Sequence, residues 1–169
     1  LILIRWIAVA GQTLTVLVVH FGLEFSLPVA ACLTVIAATA ASNLLLYILM
    51  PLRARLGDRD SMLLLGFDVL QLSVLLYLTG GLENPFAILI VAPVTVSATI
   101  LSRGPTLGLI VLAVACITLL ALFHAPLPWS PGGLSLPGNY ALGIWTSLAV
   151  ASVFIATYVW SVADEARRM

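Results

Sequence analysis

Residues 106–124 read Thr-Leu-Gly-Leu-Ile-Val-Leu-Ala-Val-Ala-Cys-Ile-Thr-Leu-Leu-Ala-Leu-Phe-His, an apolar run without a single charge. At about 1.5 Å per residue, a helix of roughly 20 residues crosses the hydrocarbon layer of a bilayer. The run is too long for a strand, and it lacks the alternation of a membrane barrel. Similar runs lie near residues 1–20, 27–50, 61–79, 85–101 and 140–160, joined by short polar segments. The chain is 62% hydrophobic and only 8% charged, the balance of an integral membrane protein and not of a soluble domain. The expected fold is all-α: one domain over residues 1–169, six transmembrane helices in a compact bundle. Residues 161–169 stay helix-friendly, with Asp164 and Arg168 spaced i, i+4. They are expected to begin a cytoplasmic linker helix. The chain opens on Leu1 with a span almost at once, so it is expected to be a piece of something longer. The first span has no small-residue cleavage site and is kept as structure.

All seven basic residues are arginines. Arg5 stands at the head of the first span. Arg53, Arg55 and Arg59 lie between spans two and three, Arg103 between four and five, and Arg167 and Arg168 after six. The opposite connections, 21–26, 80–84 and 125–139, hold none. By the positive-inside rule both termini are then cytoplasmic, and the segment after span three faces outward. Trp6 and Trp160 fall near the inner interface and Trp129 near the outer one. The expected location is the inner membrane of a bacterium. Cys32 and Cys116 lie within spans and read as small apolar residues.

Between spans three and four the chain reads Gly80-Gly81-Leu82-Glu83-Asn84-Pro85-Phe86, with Glu83 the only acidic residue between Asp68 and Asp164. A tight hairpin explains much of it. Gly80 or Gly81 can end span three in a left-handed conformation, Asn84 can cap span four, and Pro85 suits its first position. The same elbow can also hold a ligand. The start of span four offers backbone N–H groups and a positive dipole end. Asn84 can donate or accept, Glu83 can accept, and Phe86 and Tyr77 can flank a flat ring. A quinone asks for donors to its two carbonyls, whereas its quinol donates instead.

The run from Tyr77 through Phe86 resembles the sensor region of RegB/PrrB-type membrane histidine kinases. That family carries a Gly-Gly-x-x-Asn-Pro-Phe signature between its third and fourth spans. Asp68, Gln71 and Leu72 upstream, Pro93 through Ala98 downstream, and Arg5-Trp6 and Gly11-Gln12 near the start also look similar. The resemblance implies that ubiquinone binds at Gly80, Gly81, Leu82, Glu83, Asn84, Pro85 and Phe86. Asn84 and backbone N–H groups would then donate, Glu83 accept, and Phe86 pack on the ring. It also implies a homodimer, and a response regulator served by a kinase part beyond Met169. The phosphoacceptor histidine and redox-active cysteine of that family have no counterpart here, so no catalytic residue is expected in this segment. No metal site and no direct nucleic-acid partner are expected either.

Asp68, Gln71, Leu75 and Thr79 form one helical stripe leading to the elbow. A charge at bilayer depth costs about 2.5–3.5 kcal/mol on insertion scales, so Asp68 should face protein. With Pro93, expected to kink span four near its middle, this seam is either interhelical glue or the element that carries ligand state inward. Ala37/Ala41, Ala38/Ser42 and Gly143/Ser147/Ala151 have the small-xxx-small spacing of close helix contacts. His20 and His124 close spans one and five on the outer side. They read as interfacial residues ahead of a zinc pair. Two rival classes remain. An intramembrane protease would need a Gly-x-Ser-x-Gly nucleophile turn, which is absent. A transporter would show repeated halves or paired mid-membrane charges, and in the sequence Asp68 stands alone.

Overall fold

The structure is a computed structural model and describes residues 2–49, 57–126 and 137–168. α1 (Ile2–Leu17) runs on through a π turn (Val18–Gly22). α2 (Val29–Leu49) and α3 (Asp58–Leu78) follow. A short 3₁₀ turn (Gly81–Glu83) leads to a second 3₁₀ stretch (Pro85–Ile90), which passes into α4 (Val91–Ile100). α5 (Arg103–Leu122) and α6 (Gly138–Arg168) complete the bundle. Five of these helices are long and apolar enough to cross a membrane, and Pro85–Ile100 supplies a shorter sixth. The six-span, all-α expectation therefore holds. The expectations for Arg53, Arg55 and Trp129 lie outside the described residues.

The fourth span differs in kind from its expectation. Its first six residues are 3₁₀ and its last ten α. At about 2.0 Å and 1.5 Å per residue the composite reaches about 27 Å, against about 24 Å for an all-α version. A short segment thus nearly matches the hydrocarbon thickness. Pro93 falls in the first turn of α4, where no intrahelical donor is required of it. Where a mid-span kink was expected, the chain changes helix type two residues before Pro93. Val91 marks the switch, its N–H shared between the carbonyls of Ile88 and Leu89.

α4 packs on α6 and α5, α3 on α5, and α5 on α6, around a core that includes Val69, Ile90, Val94, Ala98, Ala113, Ile117, Leu148 and Ala156. Trp145 of α6 donates its indole N–H to Thr118 Oγ1 of α5 at 2.9 Å. α1 packs mainly on α2, and α2 on α3. A smaller cluster of Val16, Cys32, Ile36 and Leu75 joins these three helices. Large apolar side chains such as Leu3, Leu63, Val111 and Phe154 cover the outside, as a lipid-facing surface requires. Gly143 and Ser147 of the expected small-residue stripe are also on that outside, while its third member, Ala151, packs against the core. α6, at 31 residues, is about 46 Å long and exceeds one bilayer crossing. Near its C-terminal end Trp160 lies under the Arg103 guanidinium, 3.7 Å from ring centroid to Cζ. Ser102, just before α5, donates to Asp58 at the start of α3, which ties the same end together. Exposed Arg59 and Arg103 occupy this end, and the elbow occupies the other.

Candidate ligand-binding site

The elbow is a hydrogen-bonded object in its own right. Both glycines take positive φ, 109° at Gly80 and 58° at Gly81, as a sharp reversal demands of residues without a Cβ. A Cβ on Gly81 would sit 2.5 Å from the His124 ring, so this glycine is also a packing surface. Ala125 N–H donates to Tyr77 O at 2.9 Å, fastening the end of α5 to the end of α3. Asn84 caps the 3₁₀ stretch as expected, its Oδ1 accepting from Phe86 N–H at 2.9 Å with Pro85 at the first position. Its Nδ2 donates to Thr79 Oγ1 at 2.7 Å and Thr79 O at 3.2 Å. Thr79 Oγ1 in turn donates to Leu75 O at 2.8 Å. The Asn84 amide hydrogens expected to face a ligand are thus engaged within the turn. The N–H groups of Glu83, Asn84 and Ala87 are likewise taken by Gly80 O, Gly81 O and Asn84 O.

Behind Asn84, a cavity of about 720 Å³ lies between α1, α3 and the 85–92 segment. Pro85, Phe86, Leu89 and Ala92 form one wall, Leu72, Leu75, Leu76 and Thr79 the second, and Ala8, Gly11, Gln12, Thr15 and Val19 the third. It opens on the flank of the bundle, where Phe86 and Leu89 are about 40% exposed. Of the expected site residues, Asn84, Pro85 and Phe86 line this cavity and Thr79 supports it. Gly80, Gly81 and Leu82 are buried on the far side of the turn, against α5 and the core. Glu83 and exposed Tyr77 do not line it.

The polar seam deeper in the bundle has partners that the sequence reading did not assign. Arg5 is 2% exposed and grips Asp68 through Nε, at 3.0 and 3.1 Å, and Nη2, at 2.8 Å. The same Nη2 donates to Ser42 Oγ at 2.9 Å, joining α1, α2 and α3. Asp68, midway along α3, is therefore not alone, and Arg5 is not a free flanking charge. A carboxylate at that depth needs a countercharge within the protein, and Arg5 supplies it. Next to this pair the side-chain amides of Gln12 and Gln71 bond reciprocally, at 3.0 and 3.4 Å. α1 reaches α3 through these long polar arms, and the gap they span is the cavity. Gln12 and Thr15 are the site residues missed from the sequence. Their signal was a glutamine and a threonine one turn apart on a largely apolar span.

With that geometry in hand, comparison with known proteins is decisive. A family model described as a PilS-like transmembrane domain matches residues 2–167. The chain belongs to this family. Two sensor histidine kinases RegB of Cereibacter sphaeroides, one from strain ATCC 17023, are 39% and 40% identical to it over 170 residues. Each alignment covers the whole chain but 37% of the relative, so the chain spans a little over one third of their length. No solved structure matches. This PilS-like domain is a RegB-type region of a multi-pass protein in the bacterial inner membrane. The resemblance read from the elbow extends across all six spans.

Proposed function

We propose that this domain is the sensor module of a membrane histidine kinase, and that it binds ubiquinone in the cavity behind Asn84 to report the redox state of the quinone pool. The observation that carries the reading is the flank-opening cavity of about 720 Å³, within the usual range of about 300–1,000 Å³ for small-molecule sites. Its walls are mostly apolar, which suits a ring and the first part of an isoprenoid tail arriving from lipid. Its few polar groups converge. Thr15 offers a hydroxyl, and Gln12, while paired with Gln71, keeps a second amide hydrogen and a second lone pair for a ligand. Such an amide meets a quinone carbonyl as donor and a quinol hydroxyl as acceptor. Asn84 builds the wall in this account and holds Pro85 and Phe86 in place.

Both termini would face the cytoplasm and the elbow the periplasm, on the arginine bias that remains once Arg5 is set aside. α6, clasped at Arg103–Trp160, would carry the signal to a kinase core and a response regulator, with a homodimer as the working unit. Gly11 supplies the test. It lines the cavity and a Cβ there meets nothing within 4 Å among the described residues, so the side chain of Gly11→Leu starts in open space beside the site. In the full-length protein in nanodiscs, this variant should keep its helix and lose ubiquinone affinity by at least about tenfold, or about 1.4 kcal/mol. Equal affinity in variant and wild type would reject the cavity.

The Arg5–Asp68 pair removes one argument against a transporter, since Asp68, midway along α3, now has a charged partner. The pair is closed off, however, at 2% and 15% side-chain exposure. Substrate uptake by proteoliposomes, with none expected, separates the two classes.

A further inference from the structure

Beside the large cavity lies a smaller chamber of about 90 Å³, lined by Arg5, Gln12, Thr39, Asp68 and Gln71 together with apolar residues that include Leu65, Pro93 and Val96. Two of its lining residues carry buried polar atoms with no hydrogen-bond partner among the described residues: Nη1 of Arg5, on α1, and Oγ1 of Thr39, on α2. These residues are 2% and 3% exposed. An orphaned polar atom at such depth costs about 1–3 kcal/mol, and more when charged. Two such atoms on residues that line one small chamber point to a ligand. The ion pair is neutral overall, so neither an anion nor a cation is favoured. A benzene-sized ring occupies a cavity nearer about 150 Å³, so the head group of a quinone is too large. Water takes about 30 Å³ per molecule and asks for two to four polar partners, and the chamber offers both the room and the partners.

We propose that this chamber is an internal water site of two or three molecules, joined to the ligand cavity through the Gln12–Gln71 pair. Ala8, Gln12, Leu72 and Ala92 line both spaces, so the amide pair stands in their common wall. One edge of Gln12 meets the ligand. Its bond to Gln71 carries any amide reversal to the water cluster, and from there to Arg5, whose other hydrogens hold Asp68 and Ser42. A change from acceptor to donor in the ligand thereby reaches α1, α2 and α3 without any backbone having to move first. The water site stands on its own observations, and its link to the ligand rests on the quinone reading.

X-ray radiolytic labelling of the full-length protein in nanodiscs tests both parts, because bound water delivers hydroxyl radicals to side chains that bulk water cannot reach. Without quinone, Leu65 and Pro93 should be oxidised at least about fivefold faster than Val94 and Ile117, which are also buried but lie off the chamber. Thr39→Val, which removes one partner at constant shape, should at least halve that excess. Rates at Leu65 and Pro93 matching those at Val94 and Ile117 would overturn the water site whether or not quinone binds. Loading a short-tailed ubiquinone should change the Leu65 and Pro93 rates about twofold in wild type and leave Gln71→Leu unchanged. Quinone binding with no change in wild type would overturn the link while leaving the cavity intact.

Discussion

Removing one partner of the Arg5–Asp68 pair should be far more damaging than removing both. Asp68→Leu leaves a guanidinium, 2% exposed, with its three close contacts to carboxylate oxygens gone and Ser42 Oγ its remaining protein partner among the described residues. Breaking a buried pair in this way costs about 3–5 kcal/mol, whereas exchanging the whole pair for apolar residues of similar size is close to neutral. Arg5→Met should cost a similar amount through an unpaired carboxylate. In the double variant Ser42 keeps its own bond to Thr39 O at 2.9 Å, so no new orphan arises there. The coupling energy of the cycle should therefore exceed about 2 kcal/mol, above the average of about 0.6 kcal/mol for single interhelical hydrogen bonds in membranes. Reversible unfolding in mixed micelles, followed by tryptophan fluorescence, measures it. At about 1.4 kcal/mol per decade, each single change should shift the folding equilibrium by two to nearly four powers of ten. Single losses under about 1 kcal/mol that simply add in the double variant would show that the pair is not buried as described.

The elbow yields further expectations. Gly81→Ala should destabilise by at least about 1–2 kcal/mol from its positive φ alone, with the His124 contact on top. A His124→Ala background should restore only the contact share, read as a partial recovery of melting temperature. Asn84→Asp should retain the cap to Phe86 N–H but lose donation to Thr79, while Asn84→Ala loses both. The alanine variant should fall further in thermal stability, by about 1 kcal/mol. On the opposite face, Trp160→Leu should weaken the attachment of α6 to α5 by about 0.5–2 kcal/mol, and Arg103→Gln in that background should add little. Cysteine crosslinking between the two helices before and after the change reports it.

Much of the elbow was legible because its residues act on their neighbours in sequence. Asn84 caps a segment two residues on, Pro85 occupies the position that needs no N–H, and the glycines turn where a Cβ would clash. The partners of Asp68 and Gln71 were hidden because they lie 63 and 59 residues away, on a helix whose rotation the apolar pattern does not fix. A hint was present: the chain has two glutamines and one arginine within its apolar spans, and each found its partner on α1 or α3. The 3₁₀ start of span four was equally invisible. The 3₁₀ stretch packs on α3, and contacts of that kind are not written in the local sequence.

By itself the sequence determined the solvent and the element list: too few charges for water, six runs of spanning length, and polar punctuation that can only be reversals. Those are properties of composition and of neighbours, and local physics suffices for them. Tertiary structure alone decided that α1 stands off from α3 on two polar struts, that Asn84 faces inward to its own turn, and that a cavity fills the gap behind it. Lipid is as apolar as any side chain, so hydropathy cannot tell which face of a membrane helix is buried. Only the pairing of its few polar groups can.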